Sequence, residues 1–163
     1  MSKPTGKLSR FGDGMGGDLE ISRSYRAPIE DVWASVTEPE RTARWFGPWE
    51  GQAVPGRTIK VRLDFEEAQP WCEAVIEACD APRLLEMSVV DEHGGWRLSL
   101  LLSEQDGVTE LKLVHHLDKL DAIGEVGPGW EYYLDMLTAA REGSPRPDFN
   151  DYYPAMKDYF TGL

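Results

Sequence analysis

Apolar residues recur along this chain in two rhythms, and the change from one to the other divides it into elements. Ile59, Val61, Leu63 and Phe65 alternate with Lys60, Arg62 and Asp64, the period of a half-buried strand. Similar runs predict strands at 71–79, 84–91, 96–103 and 108–117. Turn residues separate the last four: Asp80-Ala-Pro-Arg83, His93-Gly94 and Gln105-Asp106 before Gly107. Connections this short join antiparallel neighbours. An earlier strand at 18–26 sets Leu19, Ile21 and Tyr25 against Glu20, Ser22 and Ser24.

The second rhythm is helical. Pro28 opens a helix whose apolar face is Ile29, Val32, Trp33 and Val36. Thr37-Glu-Pro-Glu40 reads as a capping box, with Thr37 as cap, for a second short helix that runs to Trp45-Phe46 and ends at Gly47-Pro48. The longest helical signal is 127–143. Pro128 suits a first turn, and Gly143 followed by Pro145 supplies the stop. Trp130, Tyr133, Leu134, Leu137 and Arg141 recur at helical spacing, and the polar stripe is only Glu131, Asp135 and Glu142. A helix with so little polar surface must be covered on more than one side, as a curling sheet can do.

Register sharpens this expectation. If Asp80 faces Arg83, then Ala78 faces Leu85, Ile76 faces Met87 and Ala74 faces Val89. Continuing across the next turns, Met87 and Val89 face Leu100 and Leu98, which face Leu111 and Leu113, and Trp96 faces His115. Every member of this face but His115 is apolar. The other face carries Glu73, Glu77, Glu86, Ser88, Arg97, Ser99, Glu110, Lys112 and His116. A slip of one residue would destroy the separation. The fold class is therefore α+β, a curved antiparallel sheet of about six strands wrapped around a long C-terminal helix, with two short helices after the first strand.

Length and charge narrow the function. The chain has 163 residues and a net charge of −12, which suits one domain and argues against nucleic acid or an anionic membrane as partner. No run of 18 apolar residues exists to span a membrane, and residues 1–17 lack the apolar core of a signal peptide. Cys72 and Cys79, on one strand and roughly 23 Å apart, are beyond disulfide reach. They read as free thiols in a reducing cytosol, so a cytoplasmic location is expected. The organisation expected is a flexible Gly-rich segment 1–17, a domain 18–143, and a tail 144–163. The tail holds Phe149, Tyr152, Tyr153, Met156, Tyr159 and Phe160, too many aromatics for a solvated extension. It is expected to pack on the domain or on a second copy, giving a monomer or a homodimer.

Several of these pieces in their order resemble the START-like helix-grip (SRPBCC) superfamily, and within it the branch resembling the C-terminal domain of the activator of Hsp90 ATPase. The matching residues are Ala27-Pro28 with Val32-Trp33, Thr37-Glu-Pro-Glu40, and Arg44-Trp45-Phe46-Gly47-Pro48. Downstream they are Glu77 through Asp80-Ala-Pro-Arg-Leu84, and Gly129-Trp130 with Leu134 and Leu137. The resemblance covers roughly residues 18–143. It implies the helix-grip fold and a cavity between helix and sheet that holds an apolar or aromatic ligand. The co-chaperone's second, N-terminal domain is not accommodated in this length, which points away from Hsp90 activation.

The ligand-binding residues expected on this basis are Leu63, Phe65, Ile76, Met87, Trp96, Leu98, Leu113, His115, Trp130, Tyr133, Leu134 and Leu137, with Trp45 and Phe46 at the mouth. Ala74 and Ala78 remove volume from the same face. His115 is the one titratable residue there and the single weak catalytic candidate, as acid or base. His93, in a turn, and His116, pointing outward, read as solvated. No HxxxH or CxxC spacing marks a metal, the two cysteines have opposite strand parity with no base beside either, and the Gly-rich run 12–17 precedes a strand, the wrong order for a dinucleotide loop. No cofactor or metal is expected. The function expected is binding of a small hydrophobic or aromatic molecule. The alternatives are a cyclase- or hydrolase-like enzyme using His115, and a chaperone-type module without small ligand. A cavity of about 300 Å³ or more would favour the first two.

Overall fold

The computed structural model of the chain describes residues 3–12, 14–91 and 94–163. Among these residues eight strands form one antiparallel sheet: β1 (Lys7–Arg10), β2 (Gly17–Tyr25), β3 (Trp49–Glu50), β4 (Thr58–Arg62), β5 (Trp71–Asp80), β6 (Leu84–Asp91), β7 (Gly94–Gln105) and β8 (Val108–Leu117). Their spatial order is β1-β2-β8-β7-β6-β5-β4-β3. Helices α1 (Ile29–Thr37) and α2 (Pro39–Thr42) lie between β2 and β3 in sequence. Helix α3 (Ile123–Glu142) follows β8, and a short α4 (Lys157–Thr161) closes the chain. This is the helix-grip arrangement, with eight strands where the sequence pattern predicts about six. The two extra strands are the four-residue β1 and the two-residue β3, too short to leave an alternating signal. β1 lies in the segment for which the sequence predicts no element, and it pairs with β2 from Lys7↔Glu20 to Arg10↔Gly17.

The dry face forms as predicted although three turns close differently. Asp80 pairs with Leu84 rather than facing Arg83, so Cys79, not Ala78, sits opposite Leu85. A bulge between Ile76 and Ala78 absorbs the extra residue, and beyond it Ile76↔Met87 and Ala74↔Val89 pair as predicted. Across the next two hairpins the pairs are Met87↔Leu98 and Leu98↔His115, each shifted by two residues from expectation. A shift of two moves the partner along the strand but leaves each side chain on its own face. Leu98 and Leu113 are thus buried, at 6% and 1% exposure, while Arg97 stands in solvent. His93 lies outside the described residues.

Two helix starts differ from the sequence reading. Thr37 caps nothing: its hydroxyl donates back to the Trp33 carbonyl at 2.7 Å, and the cap position of α2 is Glu38, with no side-chain bond. Helix α3 begins at Ile123, four residues before the predicted start, and carries Pro128 inside it. Gly124 and Gly127 are buried in that first stretch, and a Cβ on Gly127 would lie 2.3 Å from the Phe160 ring of α4. The glycines let α4 cross closely, so this turn of α3 is held by packing and not by helix propensity. Gly143, at φ 68°, ends the helix by donating to the Ala139 carbonyl.

Glu131, assigned by sequence to the polar stripe, is fully buried. The Thr5 and Gly6 amides and the Thr5 hydroxyl all donate to its carboxylate, and Arg23 pairs with it at 2.9 Å. Arg23 also pairs with Asp135 at 3.0 Å. A buried carboxylate so completely bonded fastens the segment before β1 to α3.

Candidate functional site

A cavity of about 200 Å³ lies inside the fold. It falls below the roughly 300 Å³ at which volume alone would favour ligand binding or catalysis over a chaperone-type module. Its walls follow from three local causes. On β5 three inward positions are small: Cys72, Ala74 and Cys79 leave room that Leu or Met would fill. The bulge puts Cys79 inward, so both cysteines line one cavity, against the opposite parity expected from sequence. Both are free.

The second cause is the end of α1. The carbonyl of Ser35 would normally accept from residue 39, but that residue is Pro39 and has no N–H. Trp45 Nε1 takes it at 2.9 Å, and Trp49 Nε1 donates to the Thr37 carbonyl at 2.8 Å. Both indoles are anchored by their polar edges and turn carbon faces to the cavity. The third cause is an aromatic stack on α3. Phe46 stacks on Trp130 at 6.0 Å and meets Tyr133 edge-on at 4.9 Å, and Trp96 stands edge-on to Trp130 at 6.0 Å. Trp33, Trp45, Trp49, Trp96 and Trp130 all reach the cavity, and its remaining lining is almost wholly hydrocarbon.

Of the residues expected at the site, Trp45, Phe46, Ile76, Met87, Trp96, Leu98, Leu113 and Trp130 line this cavity. Six others do not. Leu63 and Phe65 follow the end of β4 at Arg62: a turn in which Glu66 N–H donates to the Leu63 carbonyl carries them away, and Arg146 lies over the Phe65 ring at 5.0 Å. Leu134 and Leu137, at 0% and 1% exposure, are filled core. Tyr133 backs Phe46, and burial and the nearby Glu66 push its hydroxyl pKa up.

His115 also sits one layer back, against Trp96 at 5.4 Å and Trp130 at 6.2 Å between ring centroids. Trp130 Nε1 donates to its Nδ1 at 3.0 Å, which leaves the proton of the neutral ring on Nε2. That Nε2 is buried with no hydrogen-bond partner among the described residues. Burial lowers the His115 pKa to about 4, with His116 adding a smaller push the same way. The group bonded to His115 is thus an indole and not the carboxylate or tyrosine hydroxyl that would orient a general base. The residues missed by sequence, such as Ile59, Val61, Leu85 and Leu100, share inward parity with those found, so the alternation already marks them.

No helix among the described residues is long and apolar enough to cross a membrane. No curated protein matches the chain. Among solved structures, CalU16 from Micromonospora echinospora is 28% identical, with a TM-score of 0.78 over 99% of this chain and 96% of that one. The protein encoded by BPP1335 from Bordetella parapertussis is 25% identical, with a TM-score of 0.76 over 98% and 92%. DynU16, from the dynemicin biosynthetic locus, shares the fold at 19% identity and a TM-score of 0.68, over 81% of this chain and 50% of that one. Residues 26–142 match the family model for Activator of Hsp90 ATPase homolog 1-like protein, and with most of its length so matched the chain belongs to that family.

Proposed function

We propose that the protein binds a small apolar or aromatic molecule in the cavity between sheet and long helix. The observation that carries this reading is the lining: five tryptophans and Phe46 around about 200 Å³ of space. An apolar cavity of about 150 Å³ takes benzene, so this one suits one substituted ring or two fused rings. Indole N–H groups that would offer a ligand polar contacts are occupied at Trp45, Trp49 and Trp130. Recognition therefore rests on shape and dispersion, which favours a flat, weakly polar ligand. The ligand-binding role is preferred to a catalytic one because, among the described residues, no paired acid and base line the cavity.

The test uses benzene, naphthalene and anthracene as a size series, read by melting temperature and tryptophan quenching. The two-ring probe should raise the melting temperature most and the three-ring probe least. At about 100 times its Kd, a bound probe stabilises the fold by about 2.7 kcal/mol. Ala74→Phe fills the cavity and should abolish the shift while the protein stays folded. No shift with any probe, or an unchanged shift in Ala74→Phe, overturns the reading.

A further inference from the structure

The outer face of the same sheet brings together four side chains that the cavity does not use. Asp18 on β2 is the register partner of His116 on β8. On the other side of β8, Arg97 of β7 pairs with His116, and Ser99 lies two residues further along β7. Strand parity points all four to the side away from α3. His116 Nδ1 lies 2.7 Å from Asp18 Oδ1, and His116 Nε2 lies 2.8 Å from Ser99 Oγ. A carboxylate only accepts, so Nδ1 carries the proton, and in the neutral ring Nε2 accepts from the Ser99 hydroxyl.

We propose that Ser99, His116 and Asp18 form a nucleophile–base–orienter triad, and that the groove beside them takes a small uncharged or cationic ester. Both distances fall within the range for a base engaging its nucleophile and being oriented by a third group, about 2.6–3.2 Å. The groove, of about 350 Å³, is lined by Ser99 and His116 together with Ser88, Arg97, Glu77 and Glu86. The His116 side chain is 26% exposed and that of Asp18 34%, whereas Ser99 is buried at 5% exposure, so a substrate meets it only from the groove that it lines. The two glutamates in the lining repel anionic esters.

The chemistry balances without any co-reactant but water. Ser99 Oγ adds to the ester carbonyl as its proton passes to His116 Nε2, and Asp18 steadies the imidazolium through Nδ1. The adduct collapses with cleavage of the ester C–O bond, and His116 returns the proton to the departing alkoxide, which leaves as alcohol. Water then adds to the acyl group on Ser99, giving a proton to Nε2. The acyl–Oγ bond breaks, Ser99 recovers its proton, and a carboxylic acid departs. Backbone amides on central strands are spent in the ladder, so the cation nearest a developing oxyanion is Arg97, whose partner Asp118 is distant at 3.7 Å and largely exposed. Losing an oxyanion-hole donor costs about 10²–10³ in rate, so both acylation and deacylation are slow, and the acyl-enzyme accumulates with an ester whose good leaving group lets acylation outrun deacylation.

The test is labelling by a small uncharged fluorophosphonate, which phosphonylates an activated serine and releases fluoride. Intact mass should show one adduct per chain, and peptide mapping should place it on Ser99. Ser99→Ala should form none. His116→Gln should slow labelling by about 10²-fold or more, the share of a general base, and Asp18→Asn should also slow it, with melting temperatures recorded for each. p-Nitrophenyl acetate should give a burst of one equivalent, and an anionic glutarate half-ester should react more slowly. No adduct, an adduct elsewhere, or an unchanged Ser99 labelling rate in His116→Gln overturns the proposal. Should Ser99→Ala not fold, the rates in His116→Gln and Asp18→Asn, which keep Ser99, decide it.

Discussion

His115 is a buried base with an indole for its hydrogen-bond partner, and this gives it a signature in stability. Its pKa falls to about 4 in the fold, against about 6.5 in the unfolded chain. Above pH 6.5 both states are neutral and the group adds no pH dependence. As pH falls below 6.5 the unfolded chain takes up a proton that the fold refuses, so stability declines from about pH 6.5 to about pH 4 and then levels. The gap corresponds to about 3 kcal/mol. Asp31 is held below the usual carboxylate range chiefly by its bond to Arg141, so its own loss comes later, at lower pH. His115→Gln keeps an acceptor for Trp130 and cannot titrate. Urea midpoints measured from pH 7 to pH 4 should therefore fall less steeply in His115→Gln than in wild type. The shift caused by naphthalene should be the same in both, since His115 stands behind Trp96 and Trp130 and not on the cavity surface. A naphthalene shift lost in the variant would return His115 to the site, and an unchanged pH slope would mean that the ring takes up its proton in the fold as readily as in the unfolded chain.

At the scale of elements, the contact between α3 and α4 depends on a missing side chain. Gly127 and Gly129 are two positions apart on the same helix, yet a Cβ on Gly127 meets the Phe160 ring at 2.3 Å, and one on Gly129 meets nothing within 4 Å. Alanine gains about 1 kcal/mol of helix propensity over glycine, while overpacking costs about 1–3 kcal/mol. Gly129→Ala should thus raise the melting temperature and Gly127→Ala should lower it. Equal gains at both sites would mean that α4 does not press on α3. The same contact explains a limit of sequence reading. Gly127-Pro128 carries the marks of a helix start, and only the neighbour that needs the glycine shows why the helix passes through it. The faces of β5 to β8 were legible because slips of two residues preserve parity, so Leu98, Leu113 and Arg97 fall where alternation puts them. The bulge at Glu77 was not, because one inserted residue leaves no compositional mark, and it decides that Cys79 and not Ala78 looks inward. Leu63 and Phe65 continue the alternation of β4 beyond its end, and the turn that removes them from the wall has no proline or glycine to announce it. The Trp45 and Trp49 anchors depend on carbonyls freed at the end of α1, which a residue pattern does not display.

At the scale of the whole molecule, both ends of the chain are tied to α3 and to each other. Tyr152 donates to Asp135 at 2.7 Å, Tyr159 donates to the Gly6 carbonyl at 2.8 Å, and Arg10 donates to the Leu163 carbonyl at 2.7 Å. Tyr152, Met156 and Phe160 are buried at 1–3% exposure, and Tyr132 of α3 meets Phe149 and Tyr152 edge-on at 5.2 and 5.5 Å. Burying three such side chains stabilises by about 1.5–3 kcal/mol each, partly offset by ordering the tail. What remains is weighed against a total stability of about 5–15 kcal/mol, so the tail is a large share of it. Removing residues 148–163 would also bare the glycine turn of α3 and the ring of Tyr132, an apolar patch that invites association. The intact protein is expected to sediment as a monomer across concentrations. The truncated chain should melt at least 5 °C lower, the scale of about 1–2 kcal/mol in a domain of this size, or aggregate. An intact dimer that becomes a folded monomer on truncation would instead place the tail on a second copy. A truncated chain with unchanged mass and melting temperature would mean that the aromatic residues of the tail contribute nothing to holding α3 in place.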